Sequence, residues 1–87
     1  MRYLVESPHT KEECLRALDE TLGKGAEALD RFEWGCAEGD HTGYAIIESE
    51  SEAKARGLIP GFLQKKARIV KLGKFTPDQI KSFHKAA

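Results

Sequence analysis

Two hydrophobic periods take turns along this chain, and the switches between them mark its elements. Residues 2–7, Arg-Tyr-Leu-Val-Glu-Ser, are strand formers that stop at Pro8. Thr10 and Glu13 then have capping-box spacing, in which each side chain satisfies an orphan backbone N–H at a helix start. Leu15, Leu18 and Leu22 follow at helical spacing with Cys14 and Ala17 beside them, and Gly23 and Gly25 end the helix. A connector over 26–31 leads to Phe32, Trp34 and Cys36, which alternate with Glu33, Gly35 and Ala37 as a second strand. The polar, glycine-bounded stretch 38–43 turns the chain into a third strand at 44–48, so these two strands form a hairpin.

The second half repeats the alternation of types. Ser49 and Glu52 offer another capping box, and the helix after them carries Ala53, Leu58, Ile59, Phe62 and Leu63 on its inner side. Gly57 and Pro60 interrupt it; proline lacks the N–H and clashes with the preceding turn, so a kink or break before Pro60 is expected. Arg68-Ile69-Val70-Lys71-Leu72 is a fourth strand. Thr76, Pro77 and Gln79 supply a cap, a first-turn proline and a box partner for a last helix, with Ile80 and Phe83 as its inward face.

The resulting order, β-α-β-β-α-β plus a terminal helix, predicts an α+β fold of ferredoxin-like type. It is a four-stranded antiparallel sheet in spatial order 4-1-3-2 with two helices on one face. Residues 1–87 make one such domain. A chain of this length buries only about 60–65% of its unfolded surface, so the core is thin and a homodimer is expected. No apolar run approaches the ~20 residues a bilayer crossing needs. The first residues are too soon acidic for a signal peptide, which places the chain in the cytoplasm with Cys14 and Cys36 as free thiols.

Net charge is zero but unevenly spread: 13 acids against 5 bases through Ala53, then 9 bases against 1 acid from Lys54 onward. Blocks of opposite sign face each other or help copies associate. Lys65, Lys66, Arg68, Lys71 and Lys74 also offer charge to an anion.

The strand order has a chemical consequence. It brings the end of the first strand (Pro8, His9), the first helix start (Thr10 to Cys14), the Asp40-His41-Thr42 turn and the start of the fourth strand (Arg68) to one end of the sheet, with Cys36 close by. His9, Thr10, Cys36, Asp40, His41 and Arg68 are therefore the expected ligand-binding residues. Imidazole and thiolate suit zinc, nickel or copper, so His9, Cys36 and His41 are the first metal ligands, with Cys14 in reserve. Against this, the third strand separates the first from the second, a gap of roughly 10 Å. Two other uses compete: a small-molecule pocket at the uncovered sheet face, with Glu6 or a histidine as the proton carrier of a cofactor-independent enzyme, or turn-forming residues in a purely structural module. No Gly-rich phosphate loop, nucleophile elbow or basic-aromatic RNA-binding sheet is present, so nucleic acid is not an expected partner.

The segments Tyr3-Leu4-Val5, Ser7-Pro8-His9-Thr10, Phe32-Glu33-Trp34-Gly35-Cys36 and Gly39-Asp40-His41-Thr42-Gly43, in this element order, resemble a family of small bacterial ferredoxin-like domains. That family is similar to the dimeric α/β-barrel superfamily and to ferredoxin-like nickel-binding proteins. The resemblance implies two sheets packed face to face in a homodimer, with any ligand between sheet and helices. The superfamily ranges from cofactor-independent monooxygenases and lactone isomerases to haem-degrading enzymes, and no catalytic set of theirs matches this chain residue by residue. The expected role is thus a small binding protein, of zinc, nickel or a small ligand, at the end of the sheet that carries both histidines.

Overall fold

A seven-residue strand, β1 (Arg2–Pro8), runs through the centre of the computed structural model, which describes residues 1–86. It pairs antiparallel with β3 (Thr42–Glu48) on one side and with β4 (Arg68–Leu72) on the other, and the two-residue β2 (Glu33–Trp34) pairs outside β3. The order β2-β3-β1-β4 is the expected 4-1-3-2 seen from the other edge. The helices are α1 (Cys14–Gly23), α2 (Ala26–Asp30), α3 (Glu52–Arg56) and α4 (Pro77–Ala86), with 3-10 turns at Cys36–Glu38 and Gly61–Leu63. Among the described residues no helix is long and apolar enough to cross a membrane.

Pairing register assigns the faces, because side chains alternate along a strand and directly opposed residues share a side. Tyr3, Val5 and Ser7 lie opposite Ile47, Ala45 and Gly43, and all six are buried. This is the face that packs on the helices. Leu4 and Glu6 lie opposite Ile46 and Tyr44 on the other face, which nothing in the chain covers among the described residues. The core joins Tyr3, Val5, Phe32, Ala45 and Ile47 to Ala17 of α1, Ala55 of α3, and Ile59 and Leu63 beyond it.

Four expectations need correction, each for a physical reason. Helix α1 does not turn Leu15 and Leu22 inward: Leu15 is 69% exposed and Leu22 is exposed too, while Leu18 is half-buried and Ala17 and Thr21 are fully buried. Ala17 joins the core beside Phe32, Ile59 and Leu63, whose bulk fills the volume instead. The Thr21 hydroxyl is satisfied there by donating to the Ala17 carbonyl at 2.7 Å. The second strand is only two residues long, because the chain bends at Gly35 (φ −87°, ψ 2°). The Gly35 carbonyl accepts from the Asp40 N–H at 3.1 Å, and a Cβ at Gly35 would come within 2.7 Å of the Asp40 oxygen. Only glycine permits that approach.

The cap of α3 is Ser51, whose hydroxyl accepts from Lys54 N–H at 3.2 Å, and not Ser49, which instead donates to the Ser51 carbonyl. With the start shifted, Ala53 is exposed and Ala55 takes the inner position. The helix stops at Arg56, and the chain past Pro60 makes only a 3-10 turn, as the proline led one to expect. Finally, α4 forms behind its predicted box, with Thr76 N–H donating to Gln79 Oε1 at 2.8 Å and Gln79 N–H to Thr76 Oγ1 at 3.2 Å. Yet Ile80 and Phe83 face no body: residues 73–85 are all exposed. The molecule is consequently long, 51 × 28 × 21 Å, with a radius of gyration of 16.0 Å where a compact chain of this length has about 12 Å.

Candidate metal centre

Each of the four side chains here is set by the element that carries it. His9 continues the alternation Tyr3, Val5, Ser7 one step past the end of β1, so its ring falls on the helix-covered face and only 6% of the residue is exposed. Its N–H donates to the His41 carbonyl at 2.9 Å, which ties the end of β1 to the residue before β3. Cys14 opens α1 behind the Thr10–Glu13 box: Thr10 N–H donates to Glu13 Oε1 at 2.9 Å and Glu13 N–H to Thr10 Oγ1 at 3.2 Å. Cys14, Ala17 and Thr21 share one helical stripe, so the packing that buries Ala17 also aims Cys14 at the sheet end. Cys36 starts the 3-10 turn just after the bend at Gly35.

One ligand atom from each of His9, Cys14, Cys36 and His41 lies within 4.8 Å of all the others. Cys36 Sγ is 3.3 Å from His9 Nε2, and the His9 and His41 rings meet edge to face with centroids 5.8 Å apart. The expected gap of two strand spacings does not keep these groups apart. Because β2 ends at Trp34, Cys36 is free of the sheet and folds over the end of β3. Trp34 closes the side, 6.0 Å from the His9 ring and over Gly43, where a Cβ would strike the indole at 2.9 Å.

The surroundings are polar and under-satisfied. Ser7 Oγ, His9 Nδ1, Trp34 Nε1 and His41 Nδ1 are buried without a hydrogen-bond partner among the described residues. Such an atom costs about 1–3 kcal/mol, so a cluster of them at one place marks a site built around something more than protein. Burial pushes the Cys36 thiol pKa up, and Cys14 beside it pushes in the same direction. A divalent cation supplies the opposite field and favours the thiolates.

The remaining expected residues have other duties. Thr10 is spent in the α1 box and is exposed. Asp40 accepts from Thr42 Oγ1 at 2.8 Å and from the Tyr44 hydroxyl; these bonds hold its carboxyl below the usual carboxylate range and raise the Tyr44 phenol. It braces the turn that carries His41. Arg68 lies on the opposite face of the sheet, 3.5 Å from Glu6. Cys14 joins the cluster on equal terms, and the signal for it was the spacing it shares with Ala17 and Thr21. Ser7 was not singled out, although its two-residue offsets from Val5 and His9 place it on the same face.

A cleft of about 350 Å³ adjoins the cluster through Trp34, with Leu18, Ala26, Leu29, Asp30 and Phe32 as its other walls. No family model, curated protein or solved structure matches the chain. What the cluster does must therefore be argued from its own geometry.

Proposed function

We propose that this protein binds a zinc ion through His9, Cys14, Cys36 and His41. The observation that carries the reading is the convergence of four donor atoms from four separate segments within 4.8 Å. Around tetrahedral zinc, ligand atoms at 2.0–2.3 Å bond lengths stand roughly 3.3–3.8 Å apart. The Cys36–His9 pair already has that spacing at 3.3 Å, and the others need to close by at most about 1.5 Å. Two thiolates and two imidazoles suit a tetrahedral ion, whereas nickel(II) prefers planar arrangements. Four protein donors leave no open coordination position, so the role is to hold the ion and not to activate water on it. The strand order, with α1 and α3 on one face, supports a ferredoxin-like classification.

The cofactor-independent enzyme draws less support: Glu6 is partly exposed beside Arg68 on the uncovered face, and the cleft is lined by neither Glu6 nor a histidine, the buried His9 standing instead in the donor cluster with His41. Cobalt(II) titration tests the zinc proposal. One equivalent should give tetrahedral d–d bands and a thiolate charge-transfer band, displaced by zinc and lost in Cys36→Ser and in His41→Ala. Absence of stoichiometric binding, or binding that survives the Cys14→Ser/Cys36→Ser double variant, overturns it. Nickel that binds more tightly than zinc overturns the choice of ion.

A further inference from the structure

Among the apolar surfaces left without a partner by the described residues, two are complementary. The first belongs to α4 and the residue before it. Phe75 and Phe83 pack edge to face, with ring centroids 5.5 Å apart, yet remain 69% and 57% exposed, and Ile80 beside them is 47% exposed. The second is the uncovered face of the sheet. Leu4 of β1, Ile46 of β3 and Val70 of β4 stand in one cross-strand row there, because Leu4 is opposite both others, and Ile46 is 58% exposed.

We propose that α4 covers the open sheet face of a second copy of this chain, in a reciprocal dimer. Two observations favour another copy over the chain's own sheet. In its own chain α4 extends away from the body, which gives the 51 Å long axis. Burying Phe75, Ile80 and Phe83 removes roughly 300 Å² of exposed apolar surface per helix. Twofold symmetry repeats that contact, and with the matching sheet area the total is roughly 1,200 Å², above the ~1,000 Å² a specific interface needs. A fold-back onto the same chain makes only one such contact. Charge does not separate the two arrangements: Lys81 and Lys85 lie on α4, and the sheet face carries exposed Glu33 opposite Tyr44 but also Arg2 and Arg68, with Glu48 paired to the Met1 amine.

Sedimentation of the full chain at micromolar concentrations tests this, together with filtered NOE spectra of a mixture of labelled and unlabelled protein. The expected results are a species of about twice the 9.7 kDa chain mass and intermolecular NOEs from the Phe83 ring to the Ile46 methyls. Ile46→Lys and Phe83→Lys should each weaken the dimer roughly tenfold or more. Both side chains are exposed, so circular dichroism should show each variant folded, and Leu22→Lys on α1 should leave the dimer intact. A monomer at every concentration overturns the proposal, and Phe83–Ile46 NOEs within one copy would then identify the fold-back. A dimer that survives Ile46→Lys, or that Leu22→Lys dissociates, overturns it as well.

Discussion

Helices α1 and α4 are each ten residues long, and each stands behind a threonine that exchanges hydrogen bonds with an acid or amide side chain three residues on. Both are amphipathic. One of them joins the core through Ala17 and Thr21, and the other leaves its described apolar side chains exposed, Ile80 and Phe83 among them. The capping box is a local device that satisfies N–H groups wherever the helix ends up. Docking is a long-range matter of shape, and here the docked helix is the one that shows the sheet small residues. Bulk on a helical stripe marks a face that wants cover. It does not say that the same chain supplies the cover.

The largest effect that can sharpen this contrast is metal loading. If zinc sits at the end of α1, then zinc at one hundred times its dissociation constant should stabilise the body by about 2.7 kcal/mol. Unfolding temperature should rise by ten degrees or more, on the order of 4–8 °C per kcal/mol for a domain of this size. Hydrogen exchange should slow in residues 9–17 and 35–43 and stay unchanged across α4. Equal protection of both helices would erase the distinction drawn here.

Next comes packing. Ala17→Leu forces three extra carbons against the sheet and should destabilise the protein by about 1–3 kcal/mol in chemical denaturation. Leu15→Ala, two residues away on the exposed side, should stay within about 0.5 kcal/mol. The reverse result would mean that α1 is rotated from the position described.

Capping gives a smaller pair. Thr10→Ala and Thr76→Ala each remove a bond worth about 1 kcal/mol. In dilute protein the first should lower global stability, because α1 is part of the cooperative core. The second should only speed amide exchange within α4.

The smallest effect is electrostatic and confined to the turn before β3. Asp40 has its carboxyl pKa depressed below its ordinary 3.8 by the Tyr44 and Thr42 hydroxyls. A depressed carboxylate contributes stability above its unfolded pKa and loses it as pH falls through the folded value. Protection of the amides of residues 40–44, relative to their intrinsic exchange rates, should therefore be insensitive to this group from neutrality down to about pH 5 and fall in acid below the ordinary Asp pKa of about 3.9. Asp40→Asn should remove that acid response.

The hairpin, both threonine boxes and the proline break were legible in the sequence because each rests on residues close together in the chain, and the strand order followed from the succession of elements and the right-handed crossover rule, not from local contacts. Leu15 and Ala17 show where that stops. Positions two apart on a helix point to different sides, and the chain offers two stripes, one of leucines and one through Cys14, Ala17 and Thr21. Only the room left by Phe32, Ile59 and Leu63 decides between them. The metal cluster was half legible for the same reason. His9, Cys36 and His41 followed from strand order, but the distance between their strands argued against them. Gly35 removes that objection by a close approach to Asp40 that no local pattern announces. Ser49 and Ser51 differ by two residues and by a single hydrogen bond, a choice below what spacing can resolve.

The lateral borders of the sheet carry a last consequence. On one side β2 offers two residues of backbone, too few to template another strand. On the other, β4 sets Arg68 and Lys71 along its rim, so a second β4 brought alongside would meet like charge. A strand of a neighbouring molecule is thus discouraged from adding beside β4, and ribbon-like growth into fibrils is opposed on that border.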